Sequence, residues 1–325
     1  MSTFARLITL LIAISFLNAC SDKASTNPST DTQELPKIGL VMKSLANEFF
    51  VNMATQAKKH QQENASRYSL LVNGTKNESD LAQQVALIDQ MIASGMQAIV
   101  LAPADSKAVV PAVVRAVKAG LIVINIDNRL DQATLSEYGV SVPFVGPDNM
   151  QGAFLAAEYA AQKLSANDQV VVLEGIPSAI NSQQRRDGFV KAIEQYGLNM
   201  VALQSADWEQ TKAAQVASSL LIQYPEVKAI FAANDNMALG ALAAVNRANL
   251  TSAPIIVGFD NIQALTPHIE SGDILATVDQ FGGKLAVFGI EKALSALNGD
   301  ALDDVTQTPL SLITKETIDT KDTME

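Results

Sequence analysis

Three residue types that often carry chemistry are nearly missing from these 325 residues: there is one cysteine, two histidines and one tryptophan. Cys20 alone can form no intrachain disulfide. His60 and His268 are far apart in sequence, and no H-E-x-x-H pattern, cysteine pair or D-x-D-x-D-G loop occurs, so neither a metal nor a cofactor is expected. Basic residues are also in deficit, 23 Lys and Arg against 34 Asp and Glu, for a formal charge of −11 and a pI near 4.7. That balance argues against a surface for nucleic acid or for anionic membranes, both of which need clustered cations.

What is present begins with an apolar stretch, Leu7 to Leu17, with Arg6 the only charge before it and too short to span a bilayer comfortably. The segment Leu17-Asn18-Ala19-Cys20 looks like a lipobox, so residues 1–19 are expected to be a lipoprotein signal peptide, with lipid attached to Cys20. An ordinary signal peptide with an incidental cysteine is the alternative. The next residues, to Pro36, are mostly Ser, Thr, Asp, Asn and Pro, the composition of a flexible tether over 20–36.

Beyond the tether, short apolar runs alternate with amphipathic stretches. Strands are expected at Ile38–Val41, Ser69–Asn73, Ala98–Leu101, Ile122–Ile126 and Val142–Val145, with helices near Glu48–Asn64, Asn77–Ser94, Ala104–Ala119 and Asn149–Leu164. The pattern restarts at Gln169. Strands at Val170–Leu173, Met200–Gln204, Ala229–Ala232, Ile255–Val257 and Ile274–Thr277 alternate with helices near Ser182–Tyr196, Gln210–Tyr224, Asn236–Ala248 and Gln263–Ser271. Repeated strand-helix units imply α/β architecture with parallel sheets, here in two similar lobes. A last helix, Lys284–Asn298, and an apolar run, Pro309–Thr314, are left unassigned by the pattern.

Polar residues cluster where strands end, which in an open parallel sheet is where ligands bind. Lys43, Ser44 and Asn47 follow the first strand and lead into Phe49 and Phe50. These two rings point to different sides of a helix, so one can enter the core while the other faces a crevice. Asp127, Asn234, Asp260 and Gln280 follow later strands; Arg185 and Arg186 open a helix, and Trp208 follows Asp207 after another strand. The set has carboxylates, amides and guanidinium but no nucleophile-base pair. It suits a polyhydroxylated ligand, with an aromatic face for the C–H side of a sugar ring. Taken singly, each Asp or Asn is as readily a turn or helix cap, and Trp208 a core plug; their joint occurrence carries the reading.

These segments resemble the periplasmic sugar-binding proteins of the ribose- and allose-binding type, over nearly all of residues 37–315. The resemblance runs through Lys43-Ser44-Leu45-Ala46-Asn47-Glu48-Phe49-Phe50, Asn125-Ile126-Asp127-Asn128-Arg129, Arg185-Arg186-Asp187-Gly188-Phe189, Ser205-Ala206-Asp207-Trp208, Ala233-Asn234-Asp235-Asn236-Met237-Ala238-Leu239-Gly240, Val257-Gly258-Phe259-Asp260 and Ala276-Thr277-Val278-Asp279-Gln280. It implies the type I periplasmic binding protein fold: two Rossmann-like lobes joined by a three-strand hinge, 37–147 with 281–306 and 148–280 with 307–316. The resemblance further implies that Lys43, Asn47, Asp127, Arg185, Asn234, Asp260 and Gln280 hydrogen-bond a monosaccharide, pentose or hexose, while Phe49, Phe50 and Trp208 sandwich it. Glu48 stands where the family usually has proline.

The expected protein is a monomeric, non-enzymatic binder outside the cytoplasm, in the periplasm or at the cell surface. It would be held to the membrane only by lipid and would deliver sugar to the permease of an ABC importer. A periplasmic subunit reporting ligand to a sensor kinase or chemoreceptor is the alternative. A LacI-type repressor shares the fold but needs a basic helix-turn-helix where a signal and tether are read here.

Overall fold

The computed structural model describes residues 34–248 and 250–318. The expected signal peptide, Cys20 and almost all of the tether lie outside the described residues. From Leu35 onward the described residues form one compact unit, which carries everything that follows.

In its first part, β1 (Lys37–Ser44), β2 (Ser69–Thr75), β3 (Ala98–Leu101), β4 (Ile122–Ile126) and β5 (Phe144–Gly146) alternate with α1 (Glu48–Glu63), α2 (Leu81–Ala93), α3 (Val110–Lys118) and α4 (Gln132–Glu137). After α5 (Asn149–Ala161), a second series follows. Its strands are β6 (Gln169–Glu174), β7 (Asn199–Ser205), β8 (Ala229–Ala232), β9 (Ile255–Val257) and β10 (Ala276–Asp279). Its helices are α6 (Ile180–Gln195), α7 (Gln210–Gln223), α8 (Asp235–Ala248) and α9 (Thr266–Ser271), the last entered through a 3-10 turn at Gln263–Leu265. The chain closes with α10 (Gly282–Leu297), β11 (Val305–Gln307) and β12 (Ser311–Thr314).

Two six-stranded sheets result, ordered β11-β5-β4-β3-β1-β2 and β12-β10-β9-β8-β6-β7. All neighbours are parallel except β10 and β12. The chain therefore passes between the sheets three times, after β5, after β10 and after β11. The α10 helix packs on α1, β3 and β4, which settles the place that the sequence pattern left open.

Burial explains the strands. In β1 every residue after Lys37 is buried, as a central parallel strand covered on both faces requires. Tyr68, Phe189, Phe231 and Phe259 are the bulkiest of the fully buried side chains. Asn47, Asp80, Asp131 and Asp148 each accept a backbone N–H at the start of α1, α2, α4 and α5, so strand-to-helix turns carry their own caps.

Several boundaries differ from expectation. The α2 helix starts at Leu81, not Asn77, because Asp80 takes the capping role and residues 77–79 form a turn. The α3 helix starts at Val110, with Pro111 in its first turn, whereas residues 104–109 precede it as a loop. Two short elements, α4 and β11, were not expected from the apolar pattern. The β10 strand sits two residues later than expected, after Gly272 ends α9 in a left-handed conformation (φ 84°), which brings Gln280 directly to its end.

Candidate functional site

Ends of strands from both sheets converge on one buried pocket. From the first sheet it receives Lys43 at the end of β1, Asn47, Phe49 and Phe50 at the start of α1, Glu78 in the turn after β2, and Asp127 after β4. From the second come Asn181 and Arg185 of α6, Trp208 after β7, Asn234 after β8 and Asp260 after β9. The cavity they enclose is narrow: a water-sized sphere can be centred in about 20 Å³ of it, room for about one water, so the side chains already lie close against one another.

Nine of the ten residues expected to bind ligand thus line one cavity. Gln280 stands behind it, donating from Nε2 to Asp260 Oδ1 at 2.7 Å. Local sequence left one phenylalanine free to enter the core, whereas the resemblance implies both in the site. Both line the pocket, meeting edge to face with centroids 5.1 Å apart, because the opening turn of α1 is aimed into the cleft and carries both rings there. Arg186 turns elsewhere, pairing with Asp187 at 2.8 Å. Glu48, in place of the usual proline, ties α1 to the second sheet: its carboxylate accepts from Gln263 N at 2.8 Å and Ala264 N at 3.2 Å.

Charge in the pocket is paired within reach of aromatic faces. Lys43 Nζ lies 3.0 Å from Asp127 Oδ2, and 5.2 Å and 5.8 Å from the ring centroids of Phe50 and Trp208. The Arg185 guanidinium is held on three sides, donating to Asn149 Oδ1 (2.9 Å), Ala233 O (2.8 Å) and Asp260 Oδ1 (3.2 Å), and it stacks 3.7 Å over Phe259. Such a fork is fixed before any ligand arrives. Asn234 does two jobs: Oδ1 caps Met237 N at 2.9 Å, while Nδ2 donates to the Trp208 carbonyl at 3.3 Å.

Burial also shifts protons. Glu78, hydrogen-bonded from Asn47 Nδ2 at 2.8 Å, has its pKa pushed up to about 7 by burial, with Lys43 and Asn47 pulling against that rise. Burial raises Asp260 to about 6, opposed by the Arg185 charge. Behind the wall, Asp235 is raised well above the ordinary carboxyl value by burial and by the charge of Asp260. Among the described residues, Trp208 Nε1, Asn181 Oδ1 and Gln280 Oε1 are buried without a hydrogen-bond partner, and so is Asp127 Oδ2 despite its ion pair. Unmet donors and acceptors around one pocket are what a polar ligand would satisfy.

Backbone conformation points the same way. Asp127, Asp207, Trp208, Asp260, Asn261 and Phe281 all have positive φ, between 51° and 118°, and all stand at strand ends by the cleft. Non-glycine residues held there concentrate at functional sites. Trp208 fits only because Gly175 has no side chain: a Cβ on Gly175 would lie 2.1 Å from the indole.

Two lining residues escaped the sequence reading. Glu78 obeys the strand-end rule, three residues past β2, but falls inside the helix expected at Asn77–Ser94. Asn181 carries no local signal, because its exposure to the pocket depends on α6 beginning at Ile180. Among the described residues no group of His, Cys, Asp and Glu is arranged to hold a metal ion.

Two mostly parallel sheets whose strand ends meet at one polar pocket define a ligand-binding protein of the two-sheet α/β class. The chain belongs to the periplasmic binding protein family, whose domain profile (periplasmic binding protein domain) matches residues 38–301. It is 47% identical over 309 residues to the D-ribose/D-allose-binding protein of Pseudomonas aeruginosa, covering 94% of this chain and 97% of that one. To the D-allose-binding periplasmic protein of Escherichia coli it is 31% identical over 273 residues, 82% of this chain and 86% of the relative. A crystal structure of an ABC transporter periplasmic solute binding protein from Actinobacillus succinogenes with bound D-allose superposes with a TM-score of 0.82 at 36% identity, covering 86% of this chain and 98% of that one.

Proposed function

We propose that this chain binds a monosaccharide of the allose or ribose type and delivers it to the membrane permease of an ABC importer, without catalysis. Two lobes, 37–147 with 281–306 and 148–280 with 307–316, close on the sugar about the three connections, as a monomer outside the cytoplasm held to the membrane by lipid on Cys20. Lys43, Asn47, Asp127, Arg185, Asn234, Asp260 and Gln280 serve the hydroxyls, Gln280 also by holding Asp260; Phe49, Phe50 and Trp208 cover the ring. Glu78 and Asn181 join the polar set.

The observation that carries this reading is the single pocket in which carboxylates, a fixed guanidinium and three aromatic rings face one another. Such a set grips a neutral polyol by acceptance, forked donation and stacking. A ligand that binds only the folded protein raises its stability by ~2.7 kcal/mol at a hundredfold excess over Kd. A thermal-shift panel of pentoses, hexoses and polyols is expected to show a rise with D-allose or D-ribose; no rise with any sugar contradicts the assignment.

A further inference from the structure

The first N–H groups of a helix have no acceptor within it, and a helix start needs one from outside. Neither α6 nor the helical run Gln263–Ser271 supplies its own, since Ala179 and Ile262 make no side-chain cap. The acceptors come from the other sheet. Ser106 Oγ, in the loop after β3, accepts from Ile180 N at 2.9 Å, and Asn128 Oδ1, after β4, accepts from Asn181 N at 3.2 Å. Ser106 Oγ also donates to Asn128 Oδ1 at 3.2 Å, which fixes the pair. Glu48 performs the same service for Gln263 N and Ala264 N.

In both places the first two helical N–H groups are taken by side chains borne on elements of the first sheet. The receiving segment at 262–264 is held independently, because Asp235 Oδ2 accepts from Ile262 N at 2.9 Å. None of Glu48, Ser106 and Asn128 lines the ligand pocket.

We propose that Glu48, Ser106 and Asn128 set the affinity for ligand without touching it, as two capping latches that form when the sheets close and part when they open. This rests on the hinge-closure reading above. In the open state the four N–H groups face water, so each cap is gained only on closure. A ligand that needs the closed state binds in proportion to the fraction closed, and a lost cap lowers that fraction by about 3- to 30-fold. Glu48 is the sharper of the two devices, since one carboxylate serves two donors.

Hydrogen exchange read by mass spectrometry on the full chain, with and without D-allose, compares the native protein with Glu48→Ala. Faster exchange is expected at 261–266 and also at 178–184, which Glu48 does not touch. The Kd for D-allose is expected to rise about tenfold, chiefly through faster release, while the sugar-free melting temperature stays within about 1 °C. Glu48→Gln, which keeps one acceptor oxygen, should recover part of the affinity. Faster exchange confined to 261–266 with unchanged affinity overturns the proposal, as does a sugar-free protein that loses stability in step with affinity. Failure of the native protein to bind D-allose counts against the sugar assignment instead. The latch is then decided with whichever pentose, hexose or polyol of the thermal-shift panel stabilises the native protein: faster ligand-bound exchange at 178–184 in Glu48→Ala sustains it, no change there overturns it, and a native protein that none of them stabilises overturns the latch together with the sugar assignment.

Discussion

Lys43 and Asp127 meet across β3, Nζ to Oδ2 at 3.0 Å, although their strands β1 and β4 are not neighbours. Both side chains are buried, and the contact lacks hydrogen-bond geometry, so Asp127 Oδ2 keeps an acceptor site unmet by protein. The pair thus holds a charge balance and still offers an oxygen to a ligand hydroxyl.

Removing one partner is expected to cost more than the ligand contact. Asp127→Ala strands a buried ammonium and should lower folding stability by ~3–5 kcal/mol, whereas the double variant Lys43→Met with Asp127→Leu should recover most of that loss. Chemical denaturation of the two variants checks it. Neither variant is expected to bind sugar, so recovered stability with lost binding separates the two roles.

The pocket carboxyls give stability a definite pH slope. The pKa of Glu78 is about 7 in the fold against an ordinary 4.5, and that of Asp260 about 6 against 3.8, so between these values the folded state holds more protons than the unfolded chain. Stability from these groups is therefore full below the unfolded values and is lost as pH rises through about 6 to 7. The sugar-free protein should melt a few degrees higher at pH 5.5 than at pH 7.5, and Glu78→Gln should flatten the difference. An unchanged slope in Glu78→Gln places the effect on other groups.

The closeness of Gly175 to Trp208 predicts an intolerance to a single methyl group. With a Cβ 2.1 Å from the indole, Gly175→Ala must displace a ring already held at a φ of 69°. A loss of ~1–3 kcal/mol by overpacking is expected, together with weakened sugar binding, because the ring moves in the pocket. Thermal denaturation and a binding titration on the variant read both effects.

Much of this was legible because parallel strands are apolar throughout and end abruptly in polar turns. Asp127, Asn234 and Asp260 could be found as the residues just past such runs, and Asn47 as a cap. Glu78 and Asn181 could not, because their positions hang on where helices begin: α2 starts four residues later and α6 two residues earlier than periodicity suggests. Asp80, one of several nearby Asp, Asn and Ser residues, caps α2, whereas α6 has no cap of its own and takes its acceptors from Ser106 and Asn128, far away in sequence. Glu48 was visible only as a departure from a family pattern; its partners lie 215 and 216 residues away and no local rule reaches that far.

The chain holds one tryptophan, and it lines the pocket. Its emission is therefore a direct reporter of occupancy, undiluted by others, and its indole N–H is one of the buried donors left unmet by protein. Titrating the protein with D-allose and with D-ribose while following Trp208 fluorescence is the most direct measurement. A saturable change with at least one of these sugars, lost in Asp127→Asn, is the predicted result; emission that stays flat with both sugars up to millimolar concentration would contradict a monosaccharide site between the two sheets.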